Sequence, residues 1–252
     1  MGTVTKAFRQ PRALAQVARP FPIMVALAIV VTAAAAGLMF LRATTPWSVL
    51  PDNDYWGIIG GLITETGVHF DRAELFQRSN EHIVAVPKLL YAANYAVTSG
   101  SNIGLIVYSL LVGAACVGLL LFLAKDLLHD RPWRFAVCAI LFPLVMFSPK
   151  LVHSYFRAMS GTAWLTADLF VILFAITFGL TVTTGKTTWL LLSLVAALIG
   201  VMTFTTGVYA VVILLVYCLA NLLVLRLRGV SPCTRFCWSS MKKLSRPNAS
   251  MY

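Results

Sequence analysis

Long uninterrupted runs of apolar residues restrict the fold of this chain more than any other feature. Several runs reach or approach the roughly 20 apolar residues that a helix needs to cross the ~30 Å hydrocarbon core of a bilayer. Of the 252 residues, 59% are hydrophobic and only 12% are charged, whereas soluble domains carry about 25% charged residues. We therefore predict an all-α membrane protein, a multi-span helical bundle. The short alternating segments typical of a membrane β-barrel are absent from the sequence.

The basic residues have a distribution typical of membrane proteins. The net charge is +11, and Lys and Arg cluster at the ends of apolar segments and in the two tails. This is the pattern of the positive-inside rule, so we predict no nucleic-acid partner. We predict a basic cytoplasmic tail over 1–20, a transmembrane domain over 21–225, and a basic, disordered tail over 226–252.

The apolar runs predict six spans and one doubtful segment. Phe21–Leu41 exceeds the 7–15 apolar residues of a secretory signal, which indicates an uncleaved anchor. His82–Thr98 is apolar but short, and it fits either a tilted span or a juxtamembrane helix. The second choice places the basic loop 125–134, Lys186 and the C-terminal tail in the cytoplasm, which fits the charge rule better. The six predicted spans are 21–41, 103–124, 135–147, 161–182, 189–204 and 208–225.

A polar stretch follows the first span. Residues 51–88 contain six of the nine acidic residues and two of the four histidines of the chain. We predict that the loop 42–82 lies on the extracytoplasmic side and contains short juxtamembrane helices. Carboxylates concentrated between apolar segments indicate chemistry at a membrane surface. The acids are Asp52, Asp54, Glu65, Asp71, Glu74 and Glu81, and the histidines are His69 and His82.

The acidic pair of the first loop, Asp52 and Asp54, is separated by one asparagine. Two carboxylates two residues apart can hold a divalent cation such as Mg²⁺ or Mn²⁺. Alternatively, one carboxylate can act as a general base while the other tunes its pKa. The alternative without a function is a solvated turn, because Pro-Asp-Asn-Asp is a favourable turn sequence.

A second group brings an acid, an imidazole and an ammonium to the start of one helix. Glu81 and His82 are followed by Pro87 and Lys88. Such a group can bind a phosphate or position an acceptor hydroxyl. The alternative is an interfacial helix whose lysine ammonium extends to the polar surface.

Three further side chains are candidates outside the first loop. Arg157 and His153 lie in the next predicted outer loop, where the Arg157 guanidinium can clamp a phosphate. Asp168 lies inside an apolar span, and an ionisable residue in such a place indicates a function. The alternative for Asp168 is a structural hydrogen bond between helices, and the alternative for His153 is an ordinary loop histidine.

The motifs occur in a recognisable order. An outer loop that opens with Asp-x-Asp-Tyr-Trp is followed by Asn-Glu-His before a proline-containing helix, then by Ser-Gly-Ser-Asn and a long span. Over residues 21–225 this order resembles the N-terminal part of the GT-C-type glycosyltransferases. These multi-span enzymes take sugars from polyprenyl-phosphate donors on the outer side of the membrane. The resemblance implies a hexosyl- or pentosyltransferase in a bacterial plasma membrane, with a cell-envelope glycan, lipid or protein as acceptor.

The resemblance also implies roles for individual residues. One carboxylate of the acidic pair would deprotonate the acceptor hydroxyl, or the pair would support a metal. Glu81 and His82 match the end of the loop that closes over the site, and Lys88 or Arg157 would hold the donor phosphate. Such enzymes continue for several more spans, so we expect a truncated or frame-shifted member that ends after the span near Leu225.

A non-enzymatic membrane protein is the alternative interpretation. A lipid-carrier or sugar-carrier translocase subunit, or an assembly factor, would share the helical membrane fold. A transporter places charged groups or broken helices near the middle of the membrane. In this sequence the acids concentrate in one outer loop instead, which favours the glycosyltransferase.

Overall fold

The computed structural model describes residues 20–44, 53–79, 82–128 and 131–227. Most of these residues are helical. Within the described ranges, four helical segments are long and apolar enough to cross a membrane: Pro22–Thr44, Asn102–Lys125, Pro132–Tyr155 and Ser160–Thr184. The prediction of a helical protein with several helices able to cross a membrane is therefore confirmed. The count of six spans stays a prediction.

Ten α-helices and two small hairpins follow one another along the described residues. The helices are α1 (Pro20–Thr44), α2 (Asn53–Ile59), α3 (Arg72–Phe76), α4 (Ala85–Thr98), α5 (Asn102–Leu127), α6 (Pro132–Met146), α7 (Val152–Phe156), α8 (Ala158–Thr184), α9 (Thr187–Thr203) and α10 (Thr205–Leu227). Turns of 3-10 helix lie at Gly60–Leu62 and Pro149–Leu151. The antiparallel hairpins pair β1 (Ile63–Thr64) with β2 (Gly67–Val68) and β3 (Arg78–Ser79) with β4 (His82–Ile83).

The doubtful segment of the sequence forms α4. This helix has 14 residues, which corresponds to a length of about 21 Å at 1.5 Å per residue. A helix of that length is shorter than the ~30 Å hydrocarbon core. The geometry therefore agrees with a juxtamembrane helix better than with a span.

The chain divides into two compact units, and the first comprises residues up to His69 together with Leu90–Leu165. In this unit α1, α5 and α6 pack against one another around Ala28, Ala124, Phe135 and Ala139. Three alanines at this contact allow the helix backbones to approach closely, as is typical of helices packed in membranes.

The second unit comprises Phe70–Leu89 and the chain from Thr166 onward. Here α9 and α10 are separated by Phe204, whose extended backbone ends the first of the two helices. The helices meet at Gly200 and Gly207, where a Cβ added to Gly207 would overlap the Gly200 carbonyl group. Because only a glycine fits there, the turn between α9 and α10 depends on this residue.

Replacing Gly207 by alanine tests that close contact. Overpacking a filled site costs about 1–3 kcal/mol, so we expect Gly207→Ala to melt at a lower temperature than the parent protein in detergent. Gly179→Ala is the matched control, because a Cβ at Gly179 meets nothing within 4 Å. Equal melting temperatures for the two variants would contradict the contact.

Candidate functional site

An aromatic anchor attaches α2 to α4 at Tyr91 and Tyr95. Tyr55 is fully buried, and its hydroxyl donates to the Tyr91 carbonyl oxygen at 3.0 Å. The Trp56 ring meets the Tyr95 ring edge to face, with 6.3 Å between the ring centroids. These contacts hold α2 in place. The helix begins at Asn53, the residue that directly follows Asp52 of the acidic pair.

Burial disfavours the ionised form of the two tyrosines of the anchor. Desolvation raises the pKa of Tyr55, although a hydrogen bond from the Asn94 side chain opposes the rise. Desolvation also raises the pKa of Tyr91, and the neighbouring Tyr55 adds to the rise. A phenol with its ordinary pKa of about 10 is already neutral near pH 7, and burial widens that margin. They serve as structural groups rather than as general bases.

A polar corner joins α4 to α5 beside the anchor. The Asn94 side chain donates to the Ser101 carbonyl oxygen at 3.1 Å, and the Thr98 hydroxyl accepts from the Ser101 amide at 3.0 Å. The backbone turns through Ser99 and Gly100 with positive φ angles of 56° and 80°. A Cβ at Gly104 would collide with the Asn94 side chain. The Ser-Gly-Ser-Asn motif thus forms a tight, hydrogen-bonded corner.

The structure describes the predicted catalytic residues only in part. Asp52 and Glu81 lie outside the described residues. Asp54 lies in α2 and His82 in β4, where His82 pairs with Ser79, but their side chains are not described. Their catalytic roles stay predictions. What the structure adds is a rigid support for the α2 backbone.

Lys88 has a different environment from the one that the sequence indicated. Its side chain is only 2% exposed, and its ammonium donates to the carbonyl oxygens of Glu74 at 2.6 Å and Gln77 at 3.1 Å. The ammonium therefore binds the C-terminal end of α3, whose N-terminus is capped by Asp71. Burial lowers the pKa of Lys88, and the Glu74 charge opposes this shift. The predicted phosphate contact of Lys88 would have to use its remaining N–H bond.

A polar cavity of about 320 Å³ lies where the candidate span Pro132–Tyr155 ends and Ser160–Thr184 begins. It brings together the two basic residues that the sequence singled out in this loop, Arg157 and His153, both exposed. The lining residues are His153, Ser154, Arg157, Ser160 and Trp164. Two basic groups and two hydroxyls around one space suit a bound anion.

Close packing holds the walls of this polar cavity in place. Tyr155 is buried, and its hydroxyl donates to the Met146 carbonyl oxygen at 3.1 Å. A Cβ at Gly113 of α5 would lie 2.8 Å from that hydroxyl, and a Cβ at Gly161 would lie 2.5 Å from the Ser154 carbonyl oxygen. Both glycines are therefore needed for α7 and α8 to meet α5 and each other in this arrangement.

The remaining candidate, Asp168, is exposed on α8 within the candidate span Ser160–Thr184 and belongs to the second unit. Among the described residues, no group of three or more His, Cys, Asp or Glu side chains could hold a metal ion. The predicted Mg²⁺ or Mn²⁺ site on Asp52 and Asp54 falls outside this search and stays a prediction.

Sequence reasoning missed Ser160 and Trp164 as parts of the cavity. Both lie in α8, one near its first turn and one further along. A tryptophan at the end of an apolar run is typical of a membrane interface, and that position is the signal that could have singled out Trp164. Comparisons of the chain with protein-family models, with curated proteins and with solved structures find no match.

The contacts of Lys88 predict a large effect of its removal. Lys88→Met removes the ammonium donor from both carbonyl oxygens, and the Glu74 oxygen then keeps only a long bond of 3.4 Å from the Gln77 amide. Loss of a hydrogen bond to a charged group costs about 1.5–3 kcal/mol. We expect a lower melting temperature and faster hydrogen exchange over residues 72–79. Lys150→Met is the control, because Lys150 is exposed. If the two variants exchange equally, the ammonium does not stabilise α3.

Proposed function

We propose that this chain is a GT-C-type membrane glycosyltransferase, or part of one. It transfers a hexosyl or pentosyl group from a polyprenyl-phosphate donor to a cell-envelope glycan, lipid or protein acceptor. The reaction takes place on the extracytoplasmic side of a bacterial plasma membrane. The observation that carries the proposal is the polar cavity lined by Arg157 and His153 at the junction of two candidate spans.

The chemistry of the cavity supports phosphate as the bound group. A guanidinium presents paired N–H donors that match phosphate oxygens. The Ser154 and Ser160 hydroxyls supply further donors, and the cavity includes the first turn of α8, where the helix dipole favours negative charge. Each of these features stabilises an anion, and together they favour a phosphate over a neutral ligand.

The size and place of the cavity favour a lipid-linked donor. A space of about 320 Å³ lies at the low end of the roughly 300–1,000 Å³ of small-ligand sites. It suits a sugar phosphate headgroup, while a polyprenyl chain would remain in the adjacent bilayer. Trp164, which is 43% exposed, offers an apolar ring with one N–H donor beside that headgroup.

The reaction follows as an inverting displacement. A carboxylate of the acidic pair takes the proton of the acceptor hydroxyl while that oxygen attacks the anomeric carbon of the sugar. The bond between the anomeric carbon and the phosphate oxygen breaks, and polyprenyl phosphate leaves with the bonding electrons. Arg157 stabilises the charge that develops on this leaving group.

A translocase subunit is the second candidate function, and Asp168 is the observation that favours it. This carboxylate is exposed on a helix that is long and apolar enough to span a membrane. Ionisable groups in such positions line the pathways of transporters. The polar cavity gives greater support to the transferase, because it joins basic groups at a span end.

Arg157 provides the sharpest test of the transferase. We expect Arg157→Met, in vesicles with a labelled polyprenyl-phosphate sugar and acceptor membranes, to transfer sugar about 10²–10³-fold more slowly, as when a donor to a developing charge is removed. Arg157→Lys should keep part of the activity. Asp52→Asn and Asp54→Asn, made singly, should identify the general base.

Arg42→Met is the matched control, since Arg42 is an exposed arginine of α1 that does not line the cavity. Transfer at the parent rate by Arg157→Met would remove the cavity from the mechanism. Movement of the labelled lipid across the vesicle membrane without transfer would identify a translocase instead.

A further inference from the structure

A second cavity of about 490 Å³ lies between α1, α5 and the start of α6, within the first unit. We call it the α1–α5 groove. Its walls are almost entirely apolar, and Thr32, which lines it, donates its hydroxyl proton to the Ala28 carbonyl oxygen at 2.6 Å. A charged side chain stands at one end of the groove, where Lys125 of the last turn of α5 joins the lining.

Small side chains on both helices create this space. The lining includes Ala33 and Ala36 of α1 and Ala114 and Gly118 of α5. A Cβ built on Gly118 meets nothing within 4 Å. The glycine therefore does not serve a close contact between helices, unlike Gly113, where a Cβ would meet Tyr155 and Phe147. The absence of a side chain at Gly118 leaves open space in the groove for a ligand.

The length of the groove matches one leaflet of a bilayer. On α1 it extends from Val25 to Ala36, and on α5 from Ala114 to Lys125. Each stretch corresponds to about 16 Å at 1.5 Å per residue, which is close to half of a ~30 Å hydrocarbon core. An acyl chain of one leaflet fits this length, whereas a helix of a second copy would continue along the full span.

The charge at the Lys125 end favours an anionic headgroup, because residues 125–134 carry three basic and two acidic side chains, a net charge of +1. Arg131 and Arg134 are exposed at the start of α6, the helix whose Phe135 lines the groove. Trp133 is exposed between these arginines, as is typical of a residue at the membrane interface. Basic groups at an interface attract anionic lipids.

We propose that the α1–α5 groove binds an anionic phospholipid. One acyl chain lies in the groove between Val25 and Ala36, and the phosphate lies at Lys125. The lipid completes the packing of α1, whose candidate span is only 11% buried within the protein. This site is separate from the polar cavity at Arg157 and does not depend on the proposed sugar transfer.

Native mass spectrometry of the full chain tests the site. The protein is mixed with equal amounts of dioleoylphosphatidylglycerol and dioleoylphosphatidylcholine, and the retained lipid is counted. We expect preferential retention of the anionic lipid, and about fivefold less of it in Lys125→Ala, because one basic residue near a membrane surface contributes about that factor. Lys125→Glu should abolish the preference. Lys186→Ala is the control, since Lys186 is an exposed lysine elsewhere.

A second pair of variants tests the groove itself. Gly118→Leu fills the groove and should lower retention of both lipids, whereas Gly179→Leu, at a glycine of α8 with equally open surroundings, should not. Equal retention of the two lipids by the parent protein, or equal loss in Lys125→Ala and Lys186→Ala, would overturn the proposal. The proposal would also be overturned if Gly118→Leu kept its lipid but no longer formed a dimer, because the groove would then hold a second copy of the chain.

Discussion

The absence of water from the core of a bilayer is the constraint on which this structure depends. Every backbone N–H and C=O in that region needs a partner within the protein, and a helix provides all of them. Hydroxyls in the helices follow the same constraint, as Thr177 shows by donating to the Leu173 carbonyl oxygen at 2.8 Å. Groups that must meet a polar substrate are therefore confined to the segments between apolar helices.

Those segments need their own support, because α2 and α3, with seven and five residues, are too short to be stable on their own. Tyr55 supplies one support by fixing α2 on α4, and Lys88 supplies another by binding the end of α3. In each case a polar side chain satisfies backbone carbonyl groups. A polar residue in a membrane protein can thus be essential to a site without contacting its substrate.

The positions of the apolar helices could be predicted from the sequence, since the length of an apolar run is enough to identify a candidate span. The sequence also placed Arg157 and His153 in one predicted outer loop, but it did not predict the short helix α7, which brings them to one cavity. The short length of α4 followed from its short apolar run, and charge counting favoured a juxtamembrane place for it. Its juxtamembrane place and the six-span topology remain untested predictions.

Other features depend on which helices become neighbours, and one sequence does not encode that in any local pattern. The carbonyl partners of Lys88 lie 11 and 14 residues before it, and nothing in the spacing indicates them. The α1–α5 groove exists because α1 packs beside α5, which no periodicity shows. Trp164 lines the polar cavity because α7 and α8 meet there, and no local pattern indicates that contact.

The proposed function requires the first loop and the polar cavity to face the same side of the membrane. Single cysteines at His69, Lys150 and Leu127, in a chain whose five native cysteines are replaced, can be labelled with a membrane-impermeant maleimide in sealed right-side-out vesicles. All three positions are exposed. We predict labelling at positions 69 and 150 but not at 127 until the vesicles are opened. Labelling of 69 and 150 from opposite sides would contradict the account.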